Sequence, residues 1–207
     1  MPMFMISTLY GSLRGKKNLK KITDDYSLVK EFVRKIRQGK SKKNRRIVLT
    51  QGSFDMIHVG HARYCQEAKK HGNVLIVGVD SDKKIKKRKG EDRPIVPEEE
   101  RLEMLTYLSS VNLVVLKKLS APKWELIKTI KPDVLITTKE TYTLKQIEKL
   151  EKICKKVVVL EPMAVTSTSA KIRLLQMGAA KKIKSVMTNK LIKTIEEVLD
   201  ELKGDKK

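Results

Sequence analysis

The chain has 207 residues, the size of one α/β domain with an added arm, and 40% of them are apolar, enough to build a core and to exclude disorder along the whole length. Lys and Arg number 46 against 24 Asp and Glu, a net charge of +22 that calls for an anionic partner (nucleic acid, a membrane surface or a phosphorylated small molecule) unless the lysines are a solvated surface. Cys65 and Cys154 form no Cys-x-x-Cys pair, which excludes a disulfide framework or cysteine-based zinc site and points to a reducing, cytoplasmic setting; no apolar run approaches the roughly 18 residues of a membrane span, and the start lacks the charge of a leader.

Residues 1–46 read as a basic N-terminal arm, where fourteen basic and three acidic residues leave +11. Within it, Asp24 and Asp25 precede a helical pattern of Leu28, Val29, Phe32, Val33 and Ile36 that ends at Gly39, with acids at the front and cations at the back as the helix dipole favours. The run from Gly39 to Arg46 reads as a linker. Residues 47–178 then alternate. Strands are predicted at 47–50, 74–79, 111–116, 134–137 and 157–160, with helices at 62–70, 97–108, 124–130 and 144–154. Continuous β-branched runs separated by helices indicate parallel strands covered on both faces. The predicted fold is a doubly wound, Rossmann-like α/β sheet of about five strands, which binds ligands at the carboxyl ends of its strands. Two helices, 169–177 and 191–202, close the chain, with 179–207 a helical extension whose apolar stripe suits the core or a second subunit. His71 marks a helix end, Cys65 a small core position, and Trp124 a packing position.

After the first strand comes Gln51-Gly52-Ser53-Phe54-Asp55-Met56-Ile57-His58-Val59-Gly60-His61. A spacing of three puts His58 and His61 on one side of a helix's first turn, and Gly60 leaves room for a ligand at a helix N-terminus, where phosphate is favoured. A zinc site of the His-Glu-x-x-His kind is excluded, because both the spacing of four and the acid are absent. Further on, the basic run around Lys86 and Lys89 reads as a nucleic-acid or heparin patch or as a solvated loop, and Thr166, Ser167, Thr168 and Ser169 as hydroxyls capping a helix.

The segment Gly52-Ser53-Phe54-Asp55-x-x-His58-x-Gly60-His61 resembles the signature of the cytidylyltransferase-like nucleotidyltransferases. Ser81-Asp82, Lys86, Lys89-Gly90, Arg93-Pro94, Pro97 and Glu100-Arg101 resemble the ADP-heptose synthase branch of that family, and the likeness runs from about residue 20 to about residue 175. It implies that His58 and His61 stabilise a nucleoside triphosphate, that Lys89 acts with them, and that Gly52, Ser53, Phe54, Asp55, Gly60, Lys86 and Arg93 hold the nucleotide. Thr168 and Ser169, with Ser167 as an alternative, would contact its β and γ phosphates. Magnesium would accompany the triphosphate, and a phosphorylated acceptor would attack in line with loss of pyrophosphate. The resemblance implies ATP and a sugar 1-phosphate, with CTP and glycerol phosphate or ATP and a flavin mononucleotide as the other pairs, and a homodimer is common among relatives. Three stretches depart from members similar to glycerol-3-phosphate cytidylyltransferase: Ser109-Ser110-Val111-Asn112, Thr138-Lys139-Glu140 and Met163-Ala164. A scaffold that binds nucleic acid is the competing expectation, weakened by the scarcity of aromatic residues for stacking bases.

Overall fold

The computed structural model describes residues 21–38, 46–161, 163 and 168–204, with side chains left out at 168–173 and 198–204. The chain divides into two units, Met1–Ala164 and Val165–Lys207. The first unit is built on six parallel strands: β1 (Ile22–Thr23), β2 (Ile47–Gly52), β3 (Val74–Asp80), β4 (Leu113–Lys117), β5 (Val134–Thr138) and β6 (Lys156–Leu160). Their order across the sheet is β1-β4-β3-β2-β5-β6. The five expected strands are present, and β1 adds a sixth at the edge, pairing Ile22 with Val114.

Helices cover both faces. Val48, Leu75, Val77, Val79 and Val114 point to one side, where Cys65 and Ala68 of α2 (Val59–Lys70) and Leu102 and Leu105 of α4 (Glu98–Thr106) meet them. Ile47, Leu49, Ile76 and Val115 point to the other, under α1 (Tyr26–Gln38), α5 (Glu125–Ile130) and α6 (Leu144–Glu151). This alternation is the two-residue period of a strand buried on both sides. Burial pushes the Cys65 thiol up to about 12, as suits an inert core position.

Several elements differ from expectation. Residues 22–38 contain the expected amphipathic helix as α1 and add to it contacts that the sequence did not foretell: β1 joins the sheet, and α1 buries Val29 and Val33 in the second core. Arg37 donates to the carbonyls of Ile130 and Lys131 at 3.0 and 2.7 Å, fixing that helix's end. The basic run expected as a loop is a helix, α3 (Asp82–Lys89), started by the Ser81 hydroxyl, which accepts from the Lys84 amide, and ended at Gly90 with φ of 99°. Only Ile85 anchors it inward, so it carries almost no apolar period to read. Trp124 adopts a left-handed conformation just ahead of α5 and packs on the second core. Two positions match expectation: Trp124 packs, and His71 caps the end of α2. In the second unit one helix, α7 (Thr168–Gly204), replaces the two expected, and the expected boundary between 178 and 179 falls inside it. Among the described residues no helix is long and apolar enough to cross a membrane.

The strand order positions the site. From β2 the chain steps to β3 and β4 on one side, then returns to β5 and β6 on the other, so the topological switch point, the place where sheets of this kind form their ligand crevice, falls between β2 and β5 at their carboxyl ends. The turn that feeds β3 is tightly packed: a Cβ at Gly72 would lie 2.5 Å from the carbonyl oxygen of Arg46 and 2.7 Å from a Val48 methyl. Because the nearer neighbour is backbone, relief requires moving the start of β2. Gly72→Ala is expected to destabilise the fold by about 1–3 kcal/mol, read as a lower urea midpoint with an unchanged slope.

Candidate functional site

The segment leaving β2 is forced into a narrow turn. Phe54 and Met56 both take positive φ, 50° and 47°, conformations that side chains other than glycine adopt only when their surroundings hold them. Three contacts hold this turn. Phe54 is buried, and its ring sits 5.6 Å from that of His61. Gly52 leaves the space that the ring needs, since a Cβ there would come within 3.2 Å of it. Asp55, 3% exposed, accepts from the amides of Ile95 at 3.1 Å and Val96 at 3.0 Å and pairs with Arg93 at 2.7 Å. Burial pushes its carboxyl up, but these donors outweigh burial and hold it below the usual range.

The turn delivers the two histidines to the start of α2. His58 is the N-cap: its Nδ1 accepts from the Gly60 amide at 3.1 Å, while His61 Nδ1 accepts from the His58 amide at 3.3 Å. Both half-buried rings lie with centroids 4.2 Å apart. A nitrogen that accepts an N–H carries no proton, so each neutral imidazole bears its proton on Nε2. The reciprocal cap therefore sets both tautomers and makes two Nε2–H donors at a helix N-terminus, an arrangement suited to phosphate oxygens.

A second layer holds this turn against the rest of the sheet edge; its Asp82 and Arg101 belong to the stretch that carries the family resemblance, but the resemblance alone gives them no role at the site. Arg101, on α4, is fully buried. It donates to the carbonyls of Val96 at 2.9 Å and Asp80 at 2.9 Å, to that of Ser53, and to the Asp82 carboxylate at 2.7 Å. Asp82 and Glu98 each accept the other's backbone amide, joining the N-termini of α3 and α4. Asp80, at the end of β3, is ringed by Lys117, Arg88 and Lys84. Burial raises its carboxyl, yet these cations hold it below the usual range. One signal for Arg101 was legible: it stands in phase with Leu105 and Leu108 on the apolar side of its helix.

The remaining candidates fall into three groups. Ser53 accepts from Arg88 at 3.1 Å, and Gly60 is buried beneath the histidines. Lys86 is exposed and pairs with Glu91 at 3.6 Å; Lys89 is held below the ordinary lysine range by partial burial and by the cations of Arg88 and Arg93. Arg93 is tied to Asp55. Thr168 and Ser169 lie in the first turn of α7, and Ser167 lies outside the described residues.

The departures also sort by place. Asn112 caps the amino end of the sheet, accepting from the Leu75 amide at 2.9 Å and from Lys69 at 2.5 Å, so the Ser109–Asn112 difference is remote from the histidines. Thr138-Lys139-Glu140 ends β5 at the switch point itself, with Lys139 paired to Glu161 at 2.6 Å. Met163 is half-buried, and Ala164 lies outside the described residues.

The family model described as Cytidylyltransferase-like matches residues 49–187. The bifunctional protein HldE of a Nitratiruptor species is 44% identical over 114 residues, 55% of this chain and 24% of that protein. HldE of Wolinella succinogenes is 38% identical over 149 residues, 72% of this chain and 31% of that protein. The chain thus spans less than a third of the length of these curated relatives. A lipopolysaccharide core biosynthesis protein from Thermoplasma volcanium superposes with a TM-score of 0.50 at 26% identity, covering 56% of this chain and 97% of the other.

Two outcomes test the supporting layer. Arg101→Met leaves Asp82 and three carbonyls without their buried donor and is expected to cost about 3–5 kcal/mol in urea unfolding. The pH profile follows from Asp55 and Asp80, whose folded pKa values lie below the unfolded value of about 3.9. Their contribution is complete above that value and is lost as pH falls through the folded values. Asp55→Asn should accordingly be less stable than the parent at neutral pH, with the gap closing in acid; a gap independent of pH would contradict the assignment.

Proposed function

The chain belongs to the cytidylyltransferase-like family, and from that membership we propose that it is a nucleotidyltransferase that moves AMP from ATP to a sugar 1-phosphate of the heptose class and releases pyrophosphate. The observation that carries this reading is the pair of Nε2–H donors fixed at the N-terminus of α2, beside the switch point between β2 and β5. The HldE relatives support adenylate and heptose phosphate over other pairs.

The chemistry asks little of a base. A phosphate monoester is already anionic at neutral pH, so its oxygen attacks the α-phosphorus directly: one P–O bond forms, the bond to the bridging oxygen breaks, and the electron pair leaves with pyrophosphate. Catalysis then consists of alignment and charge stabilisation. His58 and His61 donate to oxygens whose negative charge grows as the bridge breaks. The helix terminus beneath them contributes amides of the same polarity. Lys89, with its ammonium held below the ordinary range by partial burial and by Arg88 and Arg93, stands at the end of α3 among cations that an incoming triphosphate would neutralise.

Magnesium, in this reading, is carried on the nucleotide's own phosphates. The chain offers no cage for it: among the described residues no three His, Cys, Asp or Glu side chains are grouped to hold a metal. Asp55, within the turn, and Asp80, at the end of β3, are committed to cations and amides.

The test is a pyrophosphate-release screen crossing ATP, CTP, GTP and UTP with sugar 1-phosphates, glycerol phosphate and FMN. ATP with a heptose or related sugar 1-phosphate is expected to give turnover. His61→Ala should lower that rate about 100-fold, the cost of one lost oxyanion donor of about 3 kcal/mol. Near-normal release by that variant would refute the site, and silence across the panel with tight, salt-sensitive nucleic-acid binding would favour a binding scaffold.

A further inference from the structure

Three cations converge on one buried carboxylate at the carboxyl end of β3, and the histidine pair gives no reason for the surplus. Lys117 Nζ lies 3.0 Å from Asp80 Oδ1, Lys84 Nζ 3.6 Å from the same oxygen, and Arg88 Nη2 3.1 Å from Oδ2. One negative charge against three positive leaves an excess of +2 in a place where Asp80 is 2% exposed. Among the three cations Lys117 is the most buried, its side chain 15% exposed, and a cation withdrawn from water in this way is costly unless matched.

Two neighbouring features suit an incoming anion. A Cβ at Gly78 would lie 2.7 Å from Leu126 Cδ2, 2.9 Å from Lys117 Cδ and 3.1 Å from Gln51 Cγ, so the glycine leaves room for the packing of α5 and for the Lys117 stem and the Gln51 side chain beside it. Gln51 Nε2 is buried and has no hydrogen-bond acceptor among the described residues. A buried amide donor without an acceptor costs about 1–3 kcal/mol, which an anion's oxygen would recover.

Side-chain alternation fixes where this cluster stands. Asp80 and Lys117 follow Ile76 and Val115 in phase and rise from the face covered by α1, α5 and α6. The histidines top α2, which covers the opposite face. Both groups meet at the turn after β2, where Arg88 donates to Ser53 Oγ at 3.1 Å.

We propose that the Asp80–Lys84–Arg88–Lys117 cluster with Gln51 is the seat of the acceptor's phosphate, and that Asp80 is an internal anion which holds the cations in place until that phosphate arrives. The proposal rests on the nucleotidyltransferase reading. In-line displacement puts attacking and leaving oxygens on opposite sides of the α-phosphorus. With pyrophosphate leaving on the side of His58 and His61, the nucleophile enters from the other side, and this cluster is the cationic group found there. Arg88, whose side chain is 53% exposed, is the member with room to turn from Asp80 to a phosphate oxygen.

The full-length chain, titrated calorimetrically with inorganic phosphate, gives the test. Arg88→Gln is expected to weaken phosphate binding about tenfold, the loss of one charge-assisted contact. Asp80→Asn should strengthen it, because it raises the excess charge from +2 to +3. A structural role alone would not produce these opposite signs. His61→Ala should leave phosphate affinity within about twofold. Unchanged binding in Arg88→Gln, or binding lost in His61→Ala and kept in Arg88→Gln, would overturn the proposal; if Asp80→Asn does not fold, Arg88→Gln decides. With an active substrate pair, Arg88→Gln should raise KM for the acceptor and leave KM for the triphosphate unchanged. An unaltered acceptor KM together with a His61→Ala defect would sink the subsite and keep the transferase. Absence of turnover with any pair would sink the transferase, while the phosphate titration still decides whether the cluster binds anions.

Discussion

One guanidinium holds the carboxyl edge of this sheet together. Arg101 is fully buried, and its hydrogen bonds go to four separate pieces of chain: the turn after β2 through Ser53, the end of β3 through Asp80, the start of α3 through Asp82, and the segment before α4 through Val96. A planar fork of five donors can bridge that many acceptors, whereas a lysine's point charge cannot. Its burial is tolerable because Asp82 neutralises it and carbonyl oxygens take the remaining protons. Since Ser53 lies five residues ahead of His58, the histidines inherit their position from this arginine.

Beneath the histidines the constraint becomes one of tautomer. Each ring gives up Nδ1 to the backbone so that Nε2 must bear the proton, and a single reciprocal cap thus serves both helix initiation and the display of two donors. The same residues that begin α2 are therefore the ones that would meet the anion of the proposed reaction, which joins local folding to that chemistry. The strained turn at Phe54 and Met56 is tolerated because Asp55 and the Phe54 ring fix it from either side.

The net charge of +22 is not spread evenly in its meaning. Around the site, cations are grouped with too few acids: Lys84, Arg88 and Lys117 share Asp80, and Lys89 feels two guanidiniums. Elsewhere they form ordinary exposed pairs, such as Lys35 with Glu31 and Lys70 with Glu67, which contribute little. Among the described residues, the first group is the one that bears on the proposed phosphate-bearing partner.

The sequence by itself determined the alternation of β-branched runs and helices, and with it the parallel α/β class, because strands buried on both faces admit few polar residues. It also determined the histidine pair, since a spacing of three at a glycine-bearing helix start is a local property. Local pattern could not reveal α3, whose inward face is Ile85 alone, nor could it show that residues 22–38 join the sheet through a two-residue strand. The charged layer of Arg101, Asp80 and Lys117 was decided only by tertiary structure. Those residues are 16 to 37 positions apart, and their meaning comes from strand register, which pairs Asp80 with Lys117, and from burial, which turns ordinary surface residue types into a linked network.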